Sequence, residues 1–83
     1  MNAKKIAEAL KTIRIIKGYS RKEVAEKVNI HQATLIKYEE NAEFMDIGIF
    51  IGLLNFYEIS YDYFFSDVYD NSLINEIKKE ETE

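Results

Sequence analysis

The chain has 83 residues and no cysteine; 47% of it is hydrophobic, 31% is charged, and its formal net charge is −4. That size and balance fit one small globular domain, and the lack of cysteine excludes a disulfide framework and a cysteine-based zinc site. His31 is the one histidine, so no histidine-cluster metal centre is expected, and no cofactor.

No apolar run precedes a small-residue cleavage site at the N-terminus. The longest apolar stretch, Ile47 to Leu54, is far short of the ~20 residues that span a bilayer. A soluble cytoplasmic protein with no membrane partner is expected.

In chain order, the spacing predicts a first helix from about Ala3 to Lys17, with Ala3, Ile6, Leu10, Ile13 and Lys17 stepping by three and four. Lys17 and Gly18 form a helix stop. Tyr19 is placed to staple against Val24. Ser20 and Glu23 have capping-box spacing and open a second helix. Its Val24, Ala25 and Val28 share one face. Asn29 tolerates a left-handed backbone and reverses the chain. Ile30 stands in the turn, and a third helix follows at about residues 31–39. Leu35 and Tyr38 are expected to face back toward Val24 and Val28, leaving Gln32, Ala33, Ile36 and Lys37 on the opposite face.

Glu40 to Met45 reads as a polar loop, and Asp46 caps a fourth helix from Ile47 to about Glu58. Ile47, Phe50, Leu54 and Tyr57 are its expected inward stripe, with Leu53 alongside. Asp62 to Phe65 is a short closing helix whose Phe64 and Phe65 plug the core. Asn71 to Lys79 carries Leu73, Ile74 and Ile77 at helical spacing, a candidate extra helix before a frayed EETE end. The expected fold is all-α, with residues 1–69 as the domain and residues 70–83 as an acidic C-terminal helix or tail.

Charge is unevenly shared. Residues 1–37 hold nine basic and three acidic residues, a net +6; residues 38–83 hold two basic and twelve acidic, a net −10. Such asymmetry suits one surface for a polyanion and an acidic opposite end, or two solvated charge faces with no partner.

The stretch Ser20 to Glu39 resembles the helix-turn-helix of the phage Cro and repressor family, also called the XRE family. Ala25 fills the small-residue position mid-way along the first motif helix. Val24, Val28, Ile30, Leu35 and Tyr38 fill the five apolar positions, and Asn29 stands where the family usually has glycine. The resemblance runs roughly from Ile6 to Phe65. It implies a compact five-helix repressor-like bundle that binds double-stranded DNA through its third helix and regulates transcription.

On that resemblance, Gln32, Ala33, Ile36 and Lys37 are the candidate base contacts. Glutamine bonds adenine bidentately, lysine reaches guanine O6 and N7, and small or apolar side chains meet thymine methyls. Ile36 fits that last role or is an isolated surface apolar residue. Arg14, Lys17, Ser20, Arg21, His31 and Thr34 are the candidate phosphate contacts. Arg21 stands where the family usually has a phosphate-binding glutamine. The resemblance also pairs Arg14 with Glu39, either locking the recognition helix with a guanidinium edge near a phosphate, or as a surface ion pair worth ~0–1 kcal/mol. Glu40 and Asn41 depart from the family, which often meets phosphate there.

Gly48 and Gly52 lie four apart in the fourth helix, with Ile49, Asn55 and Phe56 on or beside that face. Each glycine costs about 1 kcal/mol inside a helix relative to alanine. A homodimer face or a packing contact within the chain accounts for them.

The sequence therefore reads as a dimeric, sequence-specific DNA-binding transcriptional regulator of repressor type. The alternative is an antitoxin-like or anti-repressor module that uses the same fold to bind a protein partner. No paired nucleophile and base, metal cluster or glycine-rich phosphate loop points to an enzyme.

Overall fold

The computed structural model describes residues 2–70, with side chains to Ser66. Five helices account for the described chain: α1 (Ala3–Lys17), α2 (Arg21–Lys27), α3 (Gln32–Glu40), α4 (Ile47–Tyr57) and α5 (Tyr61–Asp70). The described residues contain no strand, so the all-α expectation holds. The candidate helix with Leu73, Ile74 and Ile77 lies outside the described residues.

Side-chain caps begin four of the helices. Asn2 Oδ1 accepts from the Lys5 amide at 3.0 Å at the head of α1. Ser20 and Glu23 form the expected capping box: Glu23 N–H donates to Ser20 Oγ at 3.0 Å, and Ser20 N–H donates to Glu23 Oε1 at 3.1 Å. Asp46 caps α4 through the Ile49 amide, and Ser60 caps α5 through the Tyr63 amide. Each cap satisfies an amide that the helix cannot pair internally.

Three helix ends share one device. Gly18, Asn29 and Glu58 take the left-handed backbone, with φ of 83°, 59° and 60°. The next residue then turns back, its amide bonding the carbonyl five positions earlier: Tyr19 to Arg14, Ile30 to Ala25 and Ile59 to Leu54. Tyr19, Ile30 and Ile59 consequently join the core. This is the paired hydrogen-bond and hydrophobic closure that ends many helices. The sequence pointed to it at Gly18 and Asn29, but not at Glu58, a residue poorly suited to positive φ.

The core joins Ile6, Ala9, Leu10 and Ile13 of α1 to Val24 and Ala25 of α2, Leu35 of α3, Phe50, Leu53, Leu54 and Tyr57 of α4, and Phe64 of α5. Phe50 meets Phe64 nearly edge-on, with ring centroids 5.5 Å apart. That is a favoured aromatic geometry. The loop after α3 is tied to α1 by the Ala42 amide, which donates to Ala3 O at 3.2 Å.

Three sequence expectations need correction. Helix α5 extends to Asp70, well past Phe65. Ile47 is 70% exposed and does not belong to the inward stripe of α4. On α3, Leu35 and Glu39 are the buried residues, while Tyr38 is half-buried at the edge. A carboxylate thus occupies the inner position expected for an apolar ring.

Candidate nucleic-acid interface

Helix α3 rests on α1 and α2. Leu35 is buried against the core, and Ala25 is small enough to let α3 cross closely. The opposite side is open. Gln32, Ala33, Ile36 and Lys37 are all exposed, at the i, i+1, i+4 and i+5 spacing of one helical face. Ile36 is among the exposed large hydrophobic residues, with no place in the core. Glu40, expected in a loop, is instead the last residue of α3. It is exposed and stands one turn beyond Ile36, so an acid borders the same face.

The inner side is held by a charged cluster drawn from three helices. Arg14 Nε of α1 donates to Glu39 Oε2 of α3 at 2.7 Å, and Arg14 Nη2 reaches Oε1 at 3.3 Å. Arg14 Nη1 donates to the Tyr19 carbonyl at 2.9 Å. Arg21 Nε of α2 donates to Glu39 Oε1 at 3.1 Å. Glu39 is 5% exposed and Arg14 7%. Burying charge is costly unless it is paired and fully hydrogen-bonded, and the two arginines supply that pairing.

The expected Arg14–Glu39 bond is present, and it is internal, not a surface ion pair. The Arg14 guanidinium is turned inward onto Glu39 and Tyr19. The Arg21–Glu39 bond was missed in the sequence. A signal for it existed, because a carboxylate has about four acceptor sites and one arginine does not fill them. A second donor was therefore to be sought nearby, and Arg21 begins the helix that packs on α3.

The remaining candidates lie around α3. Lys17 and Ser20 are exposed, and Arg21 is half-buried. His31 is the N-cap of α3, exposed and making no side-chain capping bond. Thr34 is half-buried in the first turn.

A family model described as a helix-turn-helix domain matches residues 7–69. The chain belongs to the helix-turn-helix family, of the XRE type. Three solved structures of point mutants of the restriction-modification controller protein C.Esp1396I share its fold. They are 23%, 24% and 24% identical, with TM-scores of 0.77, 0.74 and 0.75. The matches cover 88%, 82% and 86% of this chain and 95%, 91% and 92% of the other. No curated protein matches the chain by sequence. As a member of this family the chain carries a DNA-binding helix-turn-helix domain. Among the described residues there is no group of three or more His, Cys, Asp or Glu that could hold a metal ion, and no helix long and apolar enough to cross a membrane.

The fourth-helix face expected at a dimer contact is turned differently. Ile49 and Phe56 pack on the core, and Phe56 lies 4.7 Å from Tyr19 between ring centroids. Gly52 faces Val28, whose Cγ1 would lie 3.8 Å from an added Cβ. Of the expected set, Gly48 and Asn55 are exposed. The open side of α4 carries Ile47, Gly48, Ile51 and Asn55, with Phe44 exposed just before it. The expected face is therefore rotated by less than a quarter turn, at ~100° per residue. Assigning Ile47 to the interior caused that offset.

Proposed function

We propose that this protein is a sequence-specific regulator of transcription that binds double-stranded DNA as a homodimer, with α3 in the major groove. The observation that carries the reading is the division of α3 into two faces. Its inner face is fixed by Leu35 and by Glu39, which is bound to arginines on both neighbouring helices. Its outer face presents Gln32, Ala33, Ile36 and Lys37. A rigid helix with an unpaired outer row of mixed donors and small apolar groups is what reading base edges requires.

Lys17, Ser20, Arg21, His31 and Thr34 supply the phosphate contacts in this reading, and Arg14 acts from inside. Basic residues in the first half outweigh acids there, so the overall charge of −4 does not describe the surface around α3. The second subunit is assigned to the open side of α4, at Phe44, Ile47, Gly48, Ile51 and Asn55. Two-fold pairing there sets the half-sites about one helical turn apart, on the order of 34 Å.

Anisotropy titrations with random duplex DNA at several salt concentrations test the reading. Affinity should fall steeply as salt rises, and selection from a random DNA pool should enrich a two-fold symmetric site. Salt-independent or absent binding would overturn the proposal. It would favour the protein-partner alternative, which the exposed Phe44 and Ile47 and the acidic second half support.

A further inference from the structure

We infer that Glu39 is the positioning residue for a phosphate anchor at Arg21, so that one buried carboxylate aligns both the reading helix and the backbone clamp. The inference rests on the DNA-binding reading above and assigns Glu39 a part in it.

Glu39 is nearly sealed, with 2% of its side chain exposed, whereas the Arg21 side chain is 36% exposed. Arg21 uses only Nε on the carboxylate. Its two terminal nitrogens have no hydrogen-bond partner among the described residues. A guanidinium is a planar fork, so fixing Nε fixes the direction of the other donors. They form the edge that binds two phosphate oxygens in a bidentate contact. Ordering this long side chain before DNA arrives removes part of the entropy otherwise lost on binding.

The cluster has a geometric consequence. Arg14 lies on α1, Arg21 on α2 and Glu39 on α3. Glu39 Oε1 receives both Arg21 Nε and Arg14 Nη2. A phosphate held by Arg21 is thus registered against α3 through a single oxygen atom. Lysine at position 21 lacks the fork and would be a weaker substitute, because its one ammonium would have to satisfy the carboxylate and the phosphate together.

The sign of one substitution separates this role from plain electrostatics. Glu39→Gln removes a negative charge, and charge alone predicts tighter binding to DNA. Misplacing Arg21 predicts weaker binding. The test is a double-mutant cycle on Arg21→Ala and Glu39→Gln, with random duplex DNA and melting curves on each variant.

Arg21→Ala should weaken wild-type binding on the order of ten-fold and lower the salt slope by about one. In the Glu39→Gln background the same change should cost less than about three-fold. An equal loss in both backgrounds, or tighter binding by Glu39→Gln, overturns the inference. Should Glu39→Gln fail to fold, Arg21→Lys decides: retained wild-type affinity overturns it, and a loss approaching that of Arg21→Ala supports it. A wild type that does not bind duplex DNA instead refutes the underlying reading, an outcome distinct from either.

Discussion

Arg14 and Glu39 stand 25 positions apart in the chain and meet at 2.7 Å in the interior. Their bond crosses from α1 to α3 and holds the last turn of α3. Truncating either partner leaves the other charge buried. Glu39→Ala, which leaves Arg14 uncompensated, should lower stability by about 3–5 kcal/mol, and Arg14→Ala by less, about 1–3 kcal/mol, because Arg21 still pairs with Glu39, both measured by urea denaturation. Replacing both with apolar residues of similar volume should cost less than the two single changes added together. A loss under about 1 kcal/mol for Arg14→Ala would mean the pair behaves as an exposed one.

Tyr57 is buried, and its hydroxyl has no hydrogen-bond partner among the described residues. Burial, then the nearby Glu39 carboxylate, pushes its ionisation well above the usual tyrosine value, while Arg14 opposes this. Tyr57→Phe should leave stability unchanged or raise it by about 1 kcal/mol at neutral pH, because an unsatisfied polar group is removed from the core. The raised folded-state pKa favours the protonated form. Its contribution is fully present below the unfolded value of about 10 and is lost as pH rises past it. Thermal melts should therefore show the advantage of Tyr57→Phe growing above about pH 10. A constant difference across that range would contradict the assignment.

Backbone geometry predicts opposite effects at four positions. Glu58→Gly should stabilise by about 1 kcal/mol, since φ is 60° there. Gly52→Ala should also stabilise by about 1 kcal/mol, because the position is helical and the added Cβ makes an ordinary contact with Val28. Gly18→Ala should destabilise by about 1 kcal/mol at φ 83°. At Gly48 an added Cβ would lie 3.0 Å from Asp46 Oδ1, so Gly48→Ala should gain less than Gly52→Ala through disturbance of the cap. Calorimetric melting of the four variants checks the signs.

Lys37 and Arg21 should separate by the DNA they affect. Lys37→Ala should weaken the selected site by about 1–3 kcal/mol and random DNA much less. Arg21→Ala should weaken both alike and lower the salt slope by about one. Parallel titrations on the two DNAs give the comparison, and equal losses from both variants on both DNAs would refute the division of roles.

The oligomeric state tests the revised side of α4. Wild type should sediment as a dimer at micromolar concentration, and Ile51→Lys should shift it to monomer without lowering its melting temperature as a monomer. A monomeric wild type would remove the homodimer. Gly52→Leu is a poorer probe, because the extra side chain points at Val28.

Much of this molecule follows from local rules. Asn2, Ser20, Asp46 and Ser60 each sit three residues before the amide that they cap, and Gly18 and Asn29 permit a left-handed turn. These devices act over five residues or fewer, so their signals lie in adjacent letters. The spacing of Val24, Ala25, Ile30 and Leu35 marked the helix-turn-helix for the same reason. Gln32, Ala33, Ile36 and Lys37 were left outward once the inner positions were known.

The stretch from Ser20 to Glu39 thus determined by itself that the chain forms a helix-turn-helix and which side of its second helix faces out. What only the tertiary structure decided is how the helices meet. Periodicity gives a repeat but not a phase when a helix is apolar nearly all round, as α4 is, so Ile47 could be assigned to the wrong side. Hydrophobic patterning also cannot announce a buried glutamate. Glu39 is stable inside because Arg14 and Arg21 arrive there from separate helices, and that convergence exists only after folding. The same convergence turned Arg14 from a surface candidate into an internal brace.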